Sequence, residues 1–125
     1  MNMNTECVLV VEDEGLIRMN LVAELEDAGL KVLEARTADE ALIVLDENSD
    51  VGTIFTDIDM PGSMNGLDLA KKVRQSHPQM SIIVTSGFLK MSKDELPPEV
   101  RYIGKLYDIA DVVRQIRELA SLKIA

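Results

Sequence analysis

The sequence has one cysteine, Cys7, and only thirteen lysines and arginines against twenty-two aspartates and glutamates in 125 residues. It has no long apolar run, no repeat, no low-complexity tract and no linker-like stretch. A lone cysteine excludes an internal disulfide and suits a reducing compartment. A net charge of −9 leaves no basic footprint for DNA or RNA and repels the chain from anionic membrane surfaces. Apolar runs this short do not span a bilayer. Met1-Asn2-Met3-Asn4-Thr5-Glu6 offers neither a basic start nor an apolar stretch, so a signal peptide is not expected and a cytoplasmic location is. What is there is ordinary globular composition, 46% hydrophobic and 28% charged. The length fits a single domain over residues 1–125, able to bury about two-thirds of its unfolded surface.

Two kinds of segment alternate along the chain. Cys7-Val8-Leu9-Val10-Val11 is a compact apolar run that stops at Glu12-Asp13-Glu14, as a strand buried on both faces does. Residues 16–28 have helical period, with Ile17, Leu21, Leu25 and Ala28 on one face and Gly29 at the C-cap position. Lys31–Ala35 reads as a weaker second strand. Thr37-Ala38-Asp39-Glu40 has the pattern of a capping box, in which Thr37 bonds the third backbone N–H and Glu40 reaches back. That helix runs to about Asp46. Thr53-Ile54-Phe55-Thr56 is a third strand, delivering Asp57. A loop with Pro61, Gly62 and Gly66 follows, then a helix over residues 67–76 with Leu67, Ala70 and Val73 inward, ended by Pro78. Residues 80–85 are the most strand-like segment and deliver Ser86-Gly87. Residues 88–100 admit one helical turn near Ser92, because Pro97-Pro98 forbids a longer helix. Residues 101–104 form a short fifth strand ending at Lys105. Asp108 caps a last helix that places Ile109, Val112, Val113, Ile116 and Leu119 on its buried face.

Strands this apolar, alternating with helices, predict a parallel sheet covered on both faces with right-handed crossovers. Ligands in such sheets lie beyond the carboxyl ends of the strands, at the topological switch point. Glu12 and Asp13 follow strand one, Asp57 and Asp59 strand three, Ser86 strand four and Lys105 strand five. Four carboxylates, one hydroxyl and one ammonium are thus expected on one rim. Two carboxylates about 4 Å apart repel by roughly 4 kcal/mol at an effective dielectric of about 20. One lysine does not balance several such pairs, and hard oxygen ligands suit Mg2+. Metal, ammonium and hydroxyl together would seat a phosphoryl group. An aspartate facing that seat could act as nucleophile and form an acyl phosphate.

These residues, in this order at these strand ends, resemble the receiver domain of bacterial two-component response regulators, over essentially the whole chain. The resemblance implies a doubly wound, flavodoxin-like α/β fold. Its five-stranded parallel sheet has the order 2-1-3-4-5 with helices on both faces, the fourth helix being short or degenerate here. It implies that Asp57, in Asp57-Ile58-Asp59-Met60-Pro61, is the phosphoacceptor. Asp13 and Asp57 would bind Mg2+ directly, Glu12 through water, and Asp59 through its backbone carbonyl. Ser86 would move onto the phosphoryl group, Lys105 would be the family's lysine, and Tyr102 the switch aromatic of strand five. The implied phosphodonor is a sensor histidine kinase or a histidine phosphotransfer protein. Output would pass through contacts with a downstream protein, without nucleic acid or membrane, and phosphorylation-dependent homodimerisation stays open. The protein would be a switch rather than an enzyme, with self-catalysed phosphoryl transfer and autodephosphorylation at most.

Three departures from the family accompany the match. Leu106 follows Lys105 where the family has a cis-prolyl bond, and a trans bond is expected because a non-prolyl cis bond costs about 2.5–4 kcal/mol. The loop Pro61-Gly62-Ser63-Met64-Asn65-Gly66 is one residue longer than the usual Met-Pro-x-Met-Asp-Gly, and Met60 and Met64 are placed to pack beneath it. Residues 88–100 are short and proline-rich for a fourth helix, which with strand five forms the family's usual output surface, so an unusual partner is implied. The loop and Ser86-Gly87-Phe88 resemble a subset of short receivers common in alphaproteobacteria. Two other functions fit parts of the pattern. One is a degenerate receiver that binds partners without phosphorylation. The other is a haloacid-dehalogenase-type phosphohydrolase, whose Asp-x-Asp is present as Asp57-Ile58-Asp59. That family, however, places the motif after its first strand and needs a further acidic motif and a cap. Cys7 reads as a small buried hydrophobe and His77 as a loop residue.

Overall fold

A computed structural model describes residues 6–87 and 96–123. Every residue of β1 (Cys7–Val11), β3 (Thr53–Asp57) and β4 (Ser81–Ser86) is buried. This is why the apolar residues within them run consecutively, without alternation: each strand is covered on both faces. β2 (Lys31–Ala35) and β5 (Val100–Gly104) are more open and more polar, as edge strands are. All neighbouring strands pair parallel, in the order β2-β1-β3-β4-β5.

Side chains alternate between two cores. Leu9, Val11, Ile54, Ile82 and Val84 pack with Ala41 and Leu45 of α2 (Ala38–Glu47) and with Leu69, Ala70 and Val73 of α3 (Gly66–Ser76). Val8, Val10, Phe55, Ile83 and Ile103 pack with Leu21 and Leu25 of α1 (Gly15–Asp27) and with Val112, Val113 and Ile116 of α4 (Ile109–Leu122). The doubly wound α/β architecture and strand order are those implied by the resemblance. Among the described residues no helix is long and apolar enough to cross a membrane.

Local readings differ in instructive places. Ile17, expected on the buried face of α1, is 43% exposed, with Leu16 and Met19 beside it. Burial on α1 begins only at Leu21, one turn later, and continues at Leu25. In α3, which starts at Gly66, Leu69 is buried with Ala70 and Val73, while Leu67, in the first turn, packs on the same core but is only half-buried. Ile109 and Leu119 are likewise only partly buried in α4. Strand β4 is shifted by one residue to end on Ser86, and β5 starts at Val100.

The Thr37 cap forms, its hydroxyl accepting from Glu40 N–H at 3.1 Å, but Glu40 reaches past Thr37 to accept from Arg36 N–H at 3.1 Å. A complete capping box stands at α3 instead. Asn65 accepts from Asp68 N–H at 2.9 Å, and Asp68 accepts from Asn65 N–H at 3.2 Å. The short helical turn expected near Ser92, and with it the short fourth helix, lies outside the described residues. Residues 96–99 form a turn that leads into β5.

Candidate functional site

The register sets the site. Val11 pairs with Thr56, and Asp57 pairs with Thr85, so β1, β3 and β4 end side by side. Carboxylate oxygens of Glu12, Asp13 and Asp57 converge to within 4.8 Å of one another. Glu12 and Asp57 are buried, 5% and 3% exposed, and Asp13 faces solvent. Arg18, one turn into α1, fixes the Glu12 backbone by donating to its carbonyl at 2.8 Å. Asp57 uses both oxygens: Oδ1 accepts from Asp59 N–H at 2.9 Å and Oδ2 from Lys105 Nζ at 2.8 Å.

Charge is crowded here. Burial raises the Glu12 carboxyl, the Glu14 N–H at 3.0 Å partly offsets that, and the charge and hydrogen bond of Asp57 raise it again, to about 7. Burial pulls the Lys105 ammonium down, but its hydrogen bond and attraction to Asp57, with the charge of Glu12, outweigh this and hold it above the ordinary lysine value. One ammonium cannot balance three carboxylates. Hard oxygen donors around one point are the donor set of Mg2+, so the residues fit a divalent cation at the point where Glu12, Asp13 and Asp57 converge.

Of the four carboxylates expected on the rim, three converge on one point. Asp59 turns its carboxylate away, and Oδ2 accepts from the Ser86 hydroxyl at 2.8 Å. The cause is the tight turn after β3. The Asp59 N–H folds back on Asp57, Met60 N–H donates to Ile58 O at 3.1 Å, and the Asp59 side chain is left facing the end of β4.

The Ser86 carbonyl is a junction. It accepts from the Tyr102 hydroxyl at 3.1 Å and from Lys105 N–H at 3.2 Å. The bond from Lys105 to Leu106 is trans, as expected, and among the described residues no peptide bond is cis. Leu106 takes φ 70° and is fully exposed. Met60 is buried and Met64 packs partly buried against the same core, beneath the loop. Cys7 is buried, which raises its thiol, helped by the charge of Asp50. His77 follows α3, with Nδ1 2.7 Å from the Ser76 hydroxyl.

Three residues here went unread in the sequence. Gly66 donates to Ile58 O at 3.0 Å, and a Cβ on it would lie 2.0 Å from Asp57 O, so only glycine lets α3 start against the back of Asp57. Its signal was a glycine closing the loop. Tyr107 sets its ring edge-on to Phe55, centroids 5.5 Å apart; burial and the charge of Glu12 raise its hydroxyl. Thr85, opposite Asp57 in the register, is 3% exposed, and its Oγ1 has no hydrogen-bond partner. A buried hydroxyl left so costs about 1–3 kcal/mol.

Residues 8–96 match the response regulator receiver domain family. Over 116 residues, 90% of this chain, the sequence is 30% identical to the sensor kinase CckA of Brucella abortus, and the stretch is 12% of that kinase. It is 28% identical over 115 residues to the response regulator receiver protein CpdR of the same organism, covering 90% of this chain and 94% of CpdR. The chain therefore spans a small fraction of one relative and nearly all of another. Among solved structures, the Thermotoga maritima response regulator protein TrrA, in complex with Mg2+-BeF, aligns with a TM-score of 0.79 at 25% identity, covering 92% of this chain and 99% of that one.

Proposed function

The chain belongs to the response-regulator receiver family, whose members are signalling switches rather than conventional enzymes, and from that premise we propose that it is switched by phosphorylation on Asp57. The observation that carries the proposal is the setting of Asp57, a buried carboxylate between the ammonium of Lys105 and the acidic pair Glu12 and Asp13. A phosphohistidine of a sensor kinase or phosphotransfer protein is the donor. An Asp57 carboxylate oxygen attacks phosphorus, a P–O bond forms and the P–N bond breaks. The bonding pair leaves with the imidazole nitrogen.

Asp13 and Asp57, the Asp59 carbonyl and, through water, Glu12 would hold Mg2+, which would supply positive charge against the phosphoryl oxygens. Lys105 already touches Asp57 and is placed to follow the new charge. The Ser86 hydroxyl exchanges Asp59 for a phosphoryl oxygen. Any movement of Ser86 reaches Tyr102, because the Tyr102 hydroxyl holds the Ser86 carbonyl. Tyr102 lies on edge strand β5, so the change is transmitted to a surface a partner protein can read. Leu16 and Met19, in the first turns of α1 shortly after Glu12 and Asp13, and Leu106, next to Lys105 in sequence, are exposed and offer a donor protein apolar contacts.

Acetyl phosphate, with and without Mg2+, followed by intact mass, tests this reading. The expected result is a phosphoryl adduct that needs Mg2+ and is absent in Asp57→Asn. Metal binding without an adduct would favour a receiver that binds partners without phosphate. Fast donor turnover with no adduct would favour a phosphohydrolase.

A further inference from the structure

The rim of the sheet holds one more polar group than the chemistry above uses. Val10, Phe55, Ile83 and Ile103 share the core beneath α1 and α4. Two residues farther along each strand, on the same face, come Glu12, Asp57, Thr85 and Lys105. Thr85 therefore lies in the row between Asp57 on one side and Ile103 on the other. Lys105, leaving β5, must cross the end of β4 to reach Asp57 on β3. It does so over Gly87, where a Cβ would lie 3.3 Å from the lysine Cδ. The missing side chain at Gly87 is the passage, and Thr85 is the next residue beneath it. The Thr85 hydroxyl is buried and unpartnered, and the ammonium held on Asp57, its neighbour across the register, carries three N–H donors, one of them on Asp57 Oδ2.

We propose that Thr85 is a positioning residue for Lys105: its hydroxyl is a second acceptor for the lysine ammonium, taken up when phosphorylation of Asp57 redirects that ammonium to the phosphoryl group. The inference rests on the reading of Asp57 as acceptor. In the unphosphorylated protein the charged carboxylate wins the ammonium, since charge-assisted bonds outweigh bonds to a neutral hydroxyl. Once Asp57 is an acyl phosphate its carboxyl oxygens no longer carry the charge and are weaker acceptors. The ammonium then points one N–H at a phosphoryl oxygen and another at Thr85 Oγ1, which fixes its direction.

The test compares wild type, Thr85→Val, Thr85→Ser and Lys105→Ala, and combines Thr85→Val with Lys105→Ala. The readout is the rate of Asp57 adduct formation from acetyl phosphate with Mg2+, and thermal unfolding is followed on each. Thr85→Val keeps the shape and is expected to slow adduct formation roughly tenfold while melting no lower than wild type. Thr85→Ser is expected to restore the rate, and Thr85→Val to change nothing further once Lys105 is alanine. Should the valine variant not fold, Thr85→Ala makes the same comparison. A Thr85→Val protein that is phosphorylated at the wild-type rate, or one slowed equally without Lys105, would overturn the assignment while Asp57 stands as acceptor. A wild-type protein that forms no Asp57 adduct would overturn both.

Discussion

Lys105 Nζ donates to Asp57 Oδ2 at 2.8 Å across forty-eight residues of sequence, although a trans bond and an exposed leucine follow Lys105 where the family has proline. The lysine comes from the end of β5, crosses β4 at Gly87 and ends on β3. Leu106 turns the chain away behind it in a left-handed conformation, φ 70°. The contact therefore depends on strand order and on an open place at Gly87, while the peptide geometry is handled by one strained residue.

That strain is measurable. A non-glycine residue in the left-handed region costs about 1–2 kcal/mol. Leu106→Gly is expected to raise stability by about 1 kcal/mol in urea unfolding. Leu106→Pro, restoring the family residue, is expected to lower the melting temperature, because proline holds φ near −65°. An unchanged midpoint in both variants would deny that Leu106 is strained.

Glu12 makes stability depend on pH. Its carboxyl sits at about 7 in the folded protein against an ordinary 4.5. The folded state thus binds the proton more tightly than the unfolded state. The stability this contributes is fully present below about 4.5 and is lost as pH rises through about 7. Without divalent cation, urea unfolding is expected to show a loss of about 3 kcal/mol between the two ends of that window. Glu12→Gln should flatten it.

Cation binding should reverse that loss. Mg2+ at a hundred times its dissociation constant stabilises by about 2.7 kcal/mol. The effect is expected to be larger at pH 8 than at pH 5.5, because at the lower pH a proton already occupies Glu12. Thermal melts with Mg2+ and with chelator at the two pH values check this. An equal shift at both would place the ion elsewhere.

Gly66→Ala forces a methyl to within 2.0 Å of the Asp57 carbonyl. Either α3 or the end of β3 must move, at a cost of about 1–3 kcal/mol or more. The expected outcome is a lower melting temperature together with weaker Mg2+ binding by calorimetry. Loss of stability with metal affinity intact would mean that the helix yields and Asp57 does not.

Asn65→Ala opens the capping box that starts the same helix, at a cost of about 1 kcal/mol. Because the box lies in solvent while Gly66 touches Asp57, this variant should lose stability in urea and keep its Mg2+ affinity. The two variants together separate helix strength from site position.

How much of this was legible depended on the distance over which the physics acts. β1, β3 and β4 were plain because a strand buried on both faces carries consecutive apolar residues, Val8–Val11, Ile54-Phe55 and Ile82–Val84, without alternation. The residues after them followed, so Glu12, Asp13, Asp57, Ser86 and Lys105 were named from sequence with the cation they would need. Boundaries moved by a residue where a cap or loop decided them, as at Gly66 and Val100. The capping box read at Thr37 formed only in half, while the complete one at Asn65 passed unseen. Residue type places a cap, but the reciprocal bond depends on where the preceding chain presents its N–H.

Sequence by itself determined the parallel α/β order and the set of charged residues brought to one rim. Local apolar patterning and residue type are written in consecutive residues. Tertiary structure alone decided which three of four carboxylates converge, that Asp59 turns to Ser86, that Gly66 must be glycine, and that Thr85 carries a buried, unpartnered hydroxyl opposite Asp57. Those facts are distances between strands joined through helices. They exist only once packing has set the register and excluded water.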